Sequence, residues 1–316
     1  MNLLLDKYSF IRYFSFGLAI IMMVTSIIGL STKGLNYGID FTGGFLTEFS
    51  TSLPVERTRM QQELESILPN DFILTTSNDS THWTLREPPV TEDHNHTEQT
   101  ESHIWLEKIQ EMPYFKQSNI NIEWLDSDFM GSQIGQELKE QGGLALLTTM
   151  LLILLYLAFR FEWRFSVSSI FALFHDVTIV LGVFAWTQVE FNLTVLASLL
   201  AIIGYSLNDS IIIADRIREL MMQNSHHSLS KIINLAIQST ITRTLITSGT
   251  TLATIASIGW LAGESMHGFS LALFVGILVG TLSSICISAT LPEFLGLSVD
   301  YYKKRREEAE AFSTSP

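Results

Sequence analysis

Four runs of this chain, residues 13–32, 141–159, 244–263 and 265–292, contain no Asp, Glu, Lys or Arg. Each is close to or above the roughly 20 residues that a helix needs to cross about 30 Å of hydrocarbon. In that medium a spanning segment must satisfy its own backbone polar groups, which leaves a helix or a closed barrel. Residues 165–189 and 191–214 are as apolar but carry Asp176 and Asp209. The sequence therefore predicts an α-helical polytopic membrane protein with six transmembrane helices.

The net charge of −13 does not fit such a protein until the charges are located. Residues 31–140 hold 19 acidic and 7 basic side chains, so almost all the excess acid lies there and the remainder is close to neutral. The chain reads as an acidic soluble insertion in a membrane protein, and no general basic surface for nucleic acid is present. The expected organisation is a cytoplasmic N-terminus and first span over 1–32, an extracytoplasmic domain over 33–140, five further spans over 141–295 and a charged cytoplasmic tail over 296–316.

Orientation follows from Lys and Arg in the short loops. Lys7 and Arg12 precede the first span, Arg160 and Arg164 join the second to the third, and Arg216, Arg218, Lys231 and Arg243 fall between the fourth and fifth. Lys303, Lys304, Arg305 and Arg306 follow the sixth, whereas the short loops at 189–192 and 263–267 carry none. Both termini are predicted to be cytoplasmic. The first apolar run is too long for a signal peptide and lacks a small-x-small cleavage site, so it reads as an uncleaved anchor. The single cysteine, Cys286, lies in the sixth span, so the outer domain folds without disulfides.

In that domain, residues 37–50 have strand-type composition broken at Gly43 and Gly44, where a bulge or tight bend is expected. Residues 55–68 and 102–112 show helical spacing, 71–76 and 82–86 read as a hairpin, and 119–125 alternate as a strand. The order β-α-β-β-α-β predicts an inserted α+β ferredoxin-like domain. His94, His96 and His103 lie in or beside a polar acidic loop; lacking cysteine and a fixed spacing, it reads as a solvated loop and not as a metal site.

Asp209 carries the strongest functional signal. A carboxylate in hydrocarbon costs roughly 2.5–3.5 kcal/mol on insertion scales, so intramembrane acids usually face protein or water and mark ion or proton pathways. At ~1.5 Å per residue, Asp209 lies about 24 Å along the fourth span from Leu193, in its cytoplasmic half. Arg243 begins the fifth span, which puts the two charges at similar depth. A neighbouring cation favours the ionised carboxylate while burial favours the neutral one, and that opposition makes protonation sensitive to small displacements. Thr247, Thr250, Thr251 and Thr254 form one face above Arg243. They read either as a hydroxyl path for water or as threonines bonding their own backbone. His175 and Asp176, near the middle of the third span, read as a second relay or as a hydrogen-bonded pair fixing a helix contact. Asn208 adjoins Asp209, and Asp215 and Arg216 mark the helix end. Gly276, Gly280 and Ser284 offer a flat packing face. Residues 223–238 read as an amphipathic helix at the interface or as a partner surface. No nucleophile–base pair, phosphate loop or Cys/His metal motif is present, which argues against an enzyme and against nucleotide hydrolysis.

Several motifs then occur in order: GIDFTGG from Gly38 through Asp40 to Gly43 and Gly44, RFEWR at 160–164, HDV at 175–177, GYSLNDS at 204–210 and DRIRE at 215–219. Together they resemble the SecF family, the smaller membrane subunits of the bacterial SecD–SecF protein-export complex in the resistance-nodulation-division superfamily. The resemblance implies a separate SecD partner, docking on the SecYEG channel, association with YajC and YidC, contact with a translocating preprotein and membrane lipids, and residence in the bacterial inner membrane. It implies no cofactor, with protons as the coupling ion, and it carries the proton-linked roles to Asp209 and Arg243. Asn192, where the family pattern has an aspartate, and Ala214, where it has an aromatic, depart from that pattern. Two other readings of the residues stand beside it: half of a proton-driven exporter of lipids or small molecules, and a non-conducting scaffold.

Overall fold

The computed structural model describes residues 2–68, 72–76, 80–88, 108–223, 226–262, 266–299 and 302, with backbone only for 2–11 and 132. It divides into two compact units. One comprises Met1–Asn36 with Leu144–Pro316, the other Tyr37–Gly143.

Among the described residues, six helices are long and apolar enough to cross a membrane: Arg12–Lys33, Gln133–Arg160, Trp163–Thr187, Leu193–Gln223, Leu229–Leu261 and His267–Phe294, here the first to sixth spans. Between 50% and 67% of the third, fourth and sixth spans is buried, against 17% or less of the others. The third, fourth and sixth form the centre of the bundle, and the first, second and fifth lie around it. Small residues permit this. A Cβ on Gly276 would strike Ile202, one on Gly280 would come 3.1 Å from the Ser206 Cβ, and one on Gly182 would strike Ser26. Lipid offers no hydrophobic drive between helices, so such close approaches supply the contact energy. Trp186 fills the space over Gly29 and donates its Nε1–H to the Thr25 carbonyl at 3.1 Å, fixing the first span on the third.

The sixth span is not regular. Its α-helix ends at Ser283, a π-turn occupies Ser284–Ser288, and a short helix follows at Leu291–Phe294. At that end of the bundle, Arg12 donates to Glu293 at 2.6 Å and to Ser230 at 3.2 Å, joining the first, fifth and sixth spans. Tyr302 donates to Glu162 at 2.7 Å, and Arg164 donates to the Leu295 carbonyl at 3.1 Å.

The amphipathic stretch expected over 223–238 does not form a separate surface helix among the described residues. From Leu229 it is continuous with the fifth span, and Ile232, Ile233, Ala236 and Ile237 are buried against Ile213, Ile217 and Leu157. Their spacing records a helix–helix core.

The second unit holds, among the described residues, a four-stranded antiparallel sheet in the order β2-β3-β1-β4, with β1 Gly44–Thr51, β2 Ile73–Thr76, β3 His82–Glu87 and β4 Ile122–Met130. Residues 37–43 do not extend β1. Ile39–Thr42 make one helical turn, after which Gly43 and Gly44 take φ of +71° and +118°. Only glycine adopts the second without strain, and a Cβ on Gly44 would strike the Glu87 carbonyl across the sheet. The hairpin holds, with Ile73 opposite Arg86, and the expected first helix forms over Arg57–Glu65. Met60 and Leu64 on that helix meet Phe49, Trp83 and Leu85 from the sheet, together with Ile109 and Phe115, in one core. Pro113–Gln117 is helical; most of the helix expected over 102–112 falls on residues 102–107, outside the described residues. The last strand, expected over 119–125, runs from Ile122 to Met130; the apolar–polar alternation that marks its first half does not continue through Asp126, Ser127 and Asp128, where pairing with β1 carries it on. His94, His96 and His103 also lie outside the described residues.

Candidate functional site

The bundle buries two carboxylates in opposite ways. Asp176 is 1% exposed and fully engaged. Its Oδ1 lies 3.0 Å from His175 Nδ1, and its Oδ2 accepts from Ser206 at 2.6 Å and Ser283 at 2.9 Å. The far side of the ring, His175 Nε2, is 3.2 Å from the Ala19 carbonyl of the first span. One acid thus ties together the first, third, fourth and sixth spans, and its sixth-span donor is the last residue before the π-turn. Such turns release local backbone bonds and recur where a helix must present side chains to a site. Of the two readings of the His175–Asp176 pair, the geometry matches the hydrogen-bonded helix contact.

Asp209 is 3% exposed, and its Oδ2 has no hydrogen-bond partner among the described residues. It follows Ser206 by three residues, so both acids adjoin the same face of the fourth span. Ser210 is fully buried with its hydroxyl likewise unengaged. The field of Arg243 reaches the Asp209 carboxylate. No direct ion pair joins them among the described residues, and Arg243 itself is exposed. A buried carboxylate oxygen with no donor and a cation close by but not bonded is a state with a reason to change; a saturated one like Asp176 is not.

The remaining candidates separate. Asn208 is exposed, whereas Asp209 beside it is buried. Thr247 and Thr251 bond the carbonyls of Arg243 and Thr247 at 3.0 Å and 2.8 Å, and Thr250 and Thr254 repeat the pattern. That is the backbone-bonding alternative, on a largely exposed face of the fifth span. Asp215 is 3.5 Å from Arg218, while Arg216 bonds Glu219 at 2.6 Å and Ser239 at 3.0 Å, linking the ends of the fourth and fifth spans. Gly38 precedes the helical turn that holds Asp40, and Gly43 and Gly44 close it, so this motif shapes the entry to β1. Sequence reasoning missed Ser206 and Ser283. Serines in apolar helices are common, and only their position opposite Asp176 singles them out, although Gly280, three residues before Ser283, marked the contact.

The profile described as protein export membrane protein SecD/SecF, C-terminal, matches residues 110–297, and that of the SecD/SecF GG motif matches residues 28–49. The protein translocase subunit SecF of Escherichia coli O157:H7 is 35% identical over 96% of this chain and 92% of its own. The chain belongs to the SecF family. The corresponding SecF subunit of Vibrio alginolyticus is 37% identical over 94% of this chain and 91% of its own. The crystal structure of SecDF, a translocon-associated membrane protein from Thermus thermophilus, superposes with a TM-score of 0.78 at 33% identity over 92% of this chain. A SecDF structure in a super-membrane-facing form gives 0.63 at 34% identity. The chain spans 38% and 39% of those two proteins, so this SecF-family member matches a part of each. Six apolar helices with a small antiparallel sheet and SecF kinship make it a multi-pass membrane protein of protein transport.

Proposed function

We propose that this chain is the SecF subunit of a bacterial inner-membrane protein translocase, with both termini cytoplasmic, a separate SecD as its partner and the SecYEG channel as its docking site. With SecD it uses the proton motive force to promote preprotein translocation and release on the outer side. The outer unit is read as ferredoxin-like, since its strand order and its helix between β1 and β2 fit that arrangement. The observation that carries the coupling role is the unpartnered buried oxygen of Asp209 within reach of the Arg243 field. A proton from outside neutralises Asp209 and weakens its attraction to Arg243. The fourth and fifth spans then shift against the SecD half, and the outer unit, in contact with the emerging polypeptide, responds. One charge moved through the field supplies about 2.3 kcal/mol per 100 mV, so each cycle biases a small step and a directional effect accumulates over many. The test is preprotein export into inverted vesicles containing SecD, this chain and the channel. Asp209→Asn is expected to remove the gradient-dependent part of export and leave the ATP-driven part. Full gradient stimulation in that variant would sink the reading.

A further inference from the structure

A cavity of about 410 Å³ opens between the second, fourth and fifth spans at the arginine-bearing end of the bundle. Its lining is ordered by depth. Arg160, Asp215, Arg216 and Glu219 lie at the span ends, while Tyr156, Ile211 and Ile212 lie about one helical turn further in. Both acids are already engaged, Glu219 by Arg216 at 2.6 Å and Asp215 by Arg218 at 3.5 Å. Arg160 and Arg243 reach the same cavity, and neither is in an ion pair among the described residues. Arg160 lies over the Phe161 ring at 5.0 Å, which orients the guanidinium without neutralising it. Beside the cavity, the second span exposes Leu152, Leu155 and Phe159 at 61%, 58% and 96%, an apolar face suited to acyl chains.

Two guanidinium groups in no ion pair among the described residues, set above apolar side chains and beside an exposed apolar helix face, match one ligand chemistry. We infer that this cavity holds the phosphate of an anionic phospholipid, its charge between Arg160 and Arg243 and its first acyl carbons along Tyr156 and Ile212. Guanidinium–phosphate bonds are charge-assisted and bidentate. A zwitterionic choline lipid would bring its own cation against the arginines. A free phosphate ester would leave the apolar wall unfilled.

The test is native mass spectrometry of the full chain, extracted in mild detergent and offered phosphatidylglycerol, phosphatidylcholine of the same chains, or sn-glycerol 3-phosphate. Phosphatidylglycerol is expected to be retained roughly tenfold better than phosphatidylcholine, the scale of one charge-assisted bond. Arg160→Gln is expected to abolish that preference, Arg160→Lys to keep part of it, and Lys231→Gln, outside the cavity, to leave it intact. Equal retention of the two lipids, or an unchanged preference in Arg160→Gln, would overturn the assignment. Displacement of phosphatidylglycerol by equimolar sn-glycerol 3-phosphate would overturn it too, in favour of a soluble phosphate. None of these readouts involves proton coupling, so failure here leaves the role of Asp209 standing.

Discussion

Two aspartates in neighbouring spans of one bundle should respond in opposite ways to the same substitution. Asp176 Oδ2 accepts hydrogen bonds from Ser206 and Ser283 while Oδ1 lies 3.0 Å from His175 Nδ1, so an amide nitrogen in the Oδ2 position would face two donors. Leaving buried polar groups unpaired costs about 1–3 kcal/mol each, so Asp176→Asn is expected to lower the thermal unfolding midpoint of the purified chain clearly. Asp209 has an oxygen that nothing engages, so Asp209→Asn is expected to leave the midpoint unchanged or raise it. Differential scanning fluorimetry of both variants in one detergent separates the cases. If Asp209→Asn were the more destabilising, its carboxylate would be a structural group and the coupling role would lose its physical basis. Sequence reasoning reached both acids because charge in an apolar run is conspicuous. It could not tell them apart, since the difference lies in two serines on other helices.

At the scale of elements, the spans were legible because exclusion of charge from hydrocarbon is a strong rule that acts on each segment separately. Relations between elements were less legible. Residues 229–237 carry an apolar stripe that meets the fourth span, and the same stripe would equally suit a membrane surface. The threonines above Arg243 align as either a path or a backbone-bonded stripe would, and each is engaged by its own helix. The Gly43–Gly44 pair was read as a bend, and its consequence is specific. Gly44→Ala must hold a φ of +118° and press a methyl on the Glu87 carbonyl. Strained positions of this kind cost about 1–3 kcal/mol, so local opening of the sheet should become several-fold more frequent. Hydrogen exchange of the β1 and β3 amides in the full chain is expected to accelerate while that of the third span stays constant. Uniform acceleration would show that the sheet and the bundle unfold together.

At the scale of the molecule, the question is whether the Asp209–Arg243 arrangement moves or merely holds. The fifth span is only 17% buried, and Arg243 lies on its exposed side, so the pair is not sealed in the centre of a rigid core. A matched neutral replacement, Asp209→Asn with Arg243→Gln, removes both charges and keeps polar side chains of similar size. If the two charges only lock helices, the double variant should fold, bind its partner and support export as the parent does. Removing one member of a close charge pair leaves the other uncompensated, whereas removing both is often neutral for stability. If the pair is the element that senses the gradient, the double variant should keep its unfolding midpoint within a few degrees and still lose gradient-dependent export. Measuring both quantities on the same preparation decides the matter, because a scaffold cannot lose the second while retaining the first.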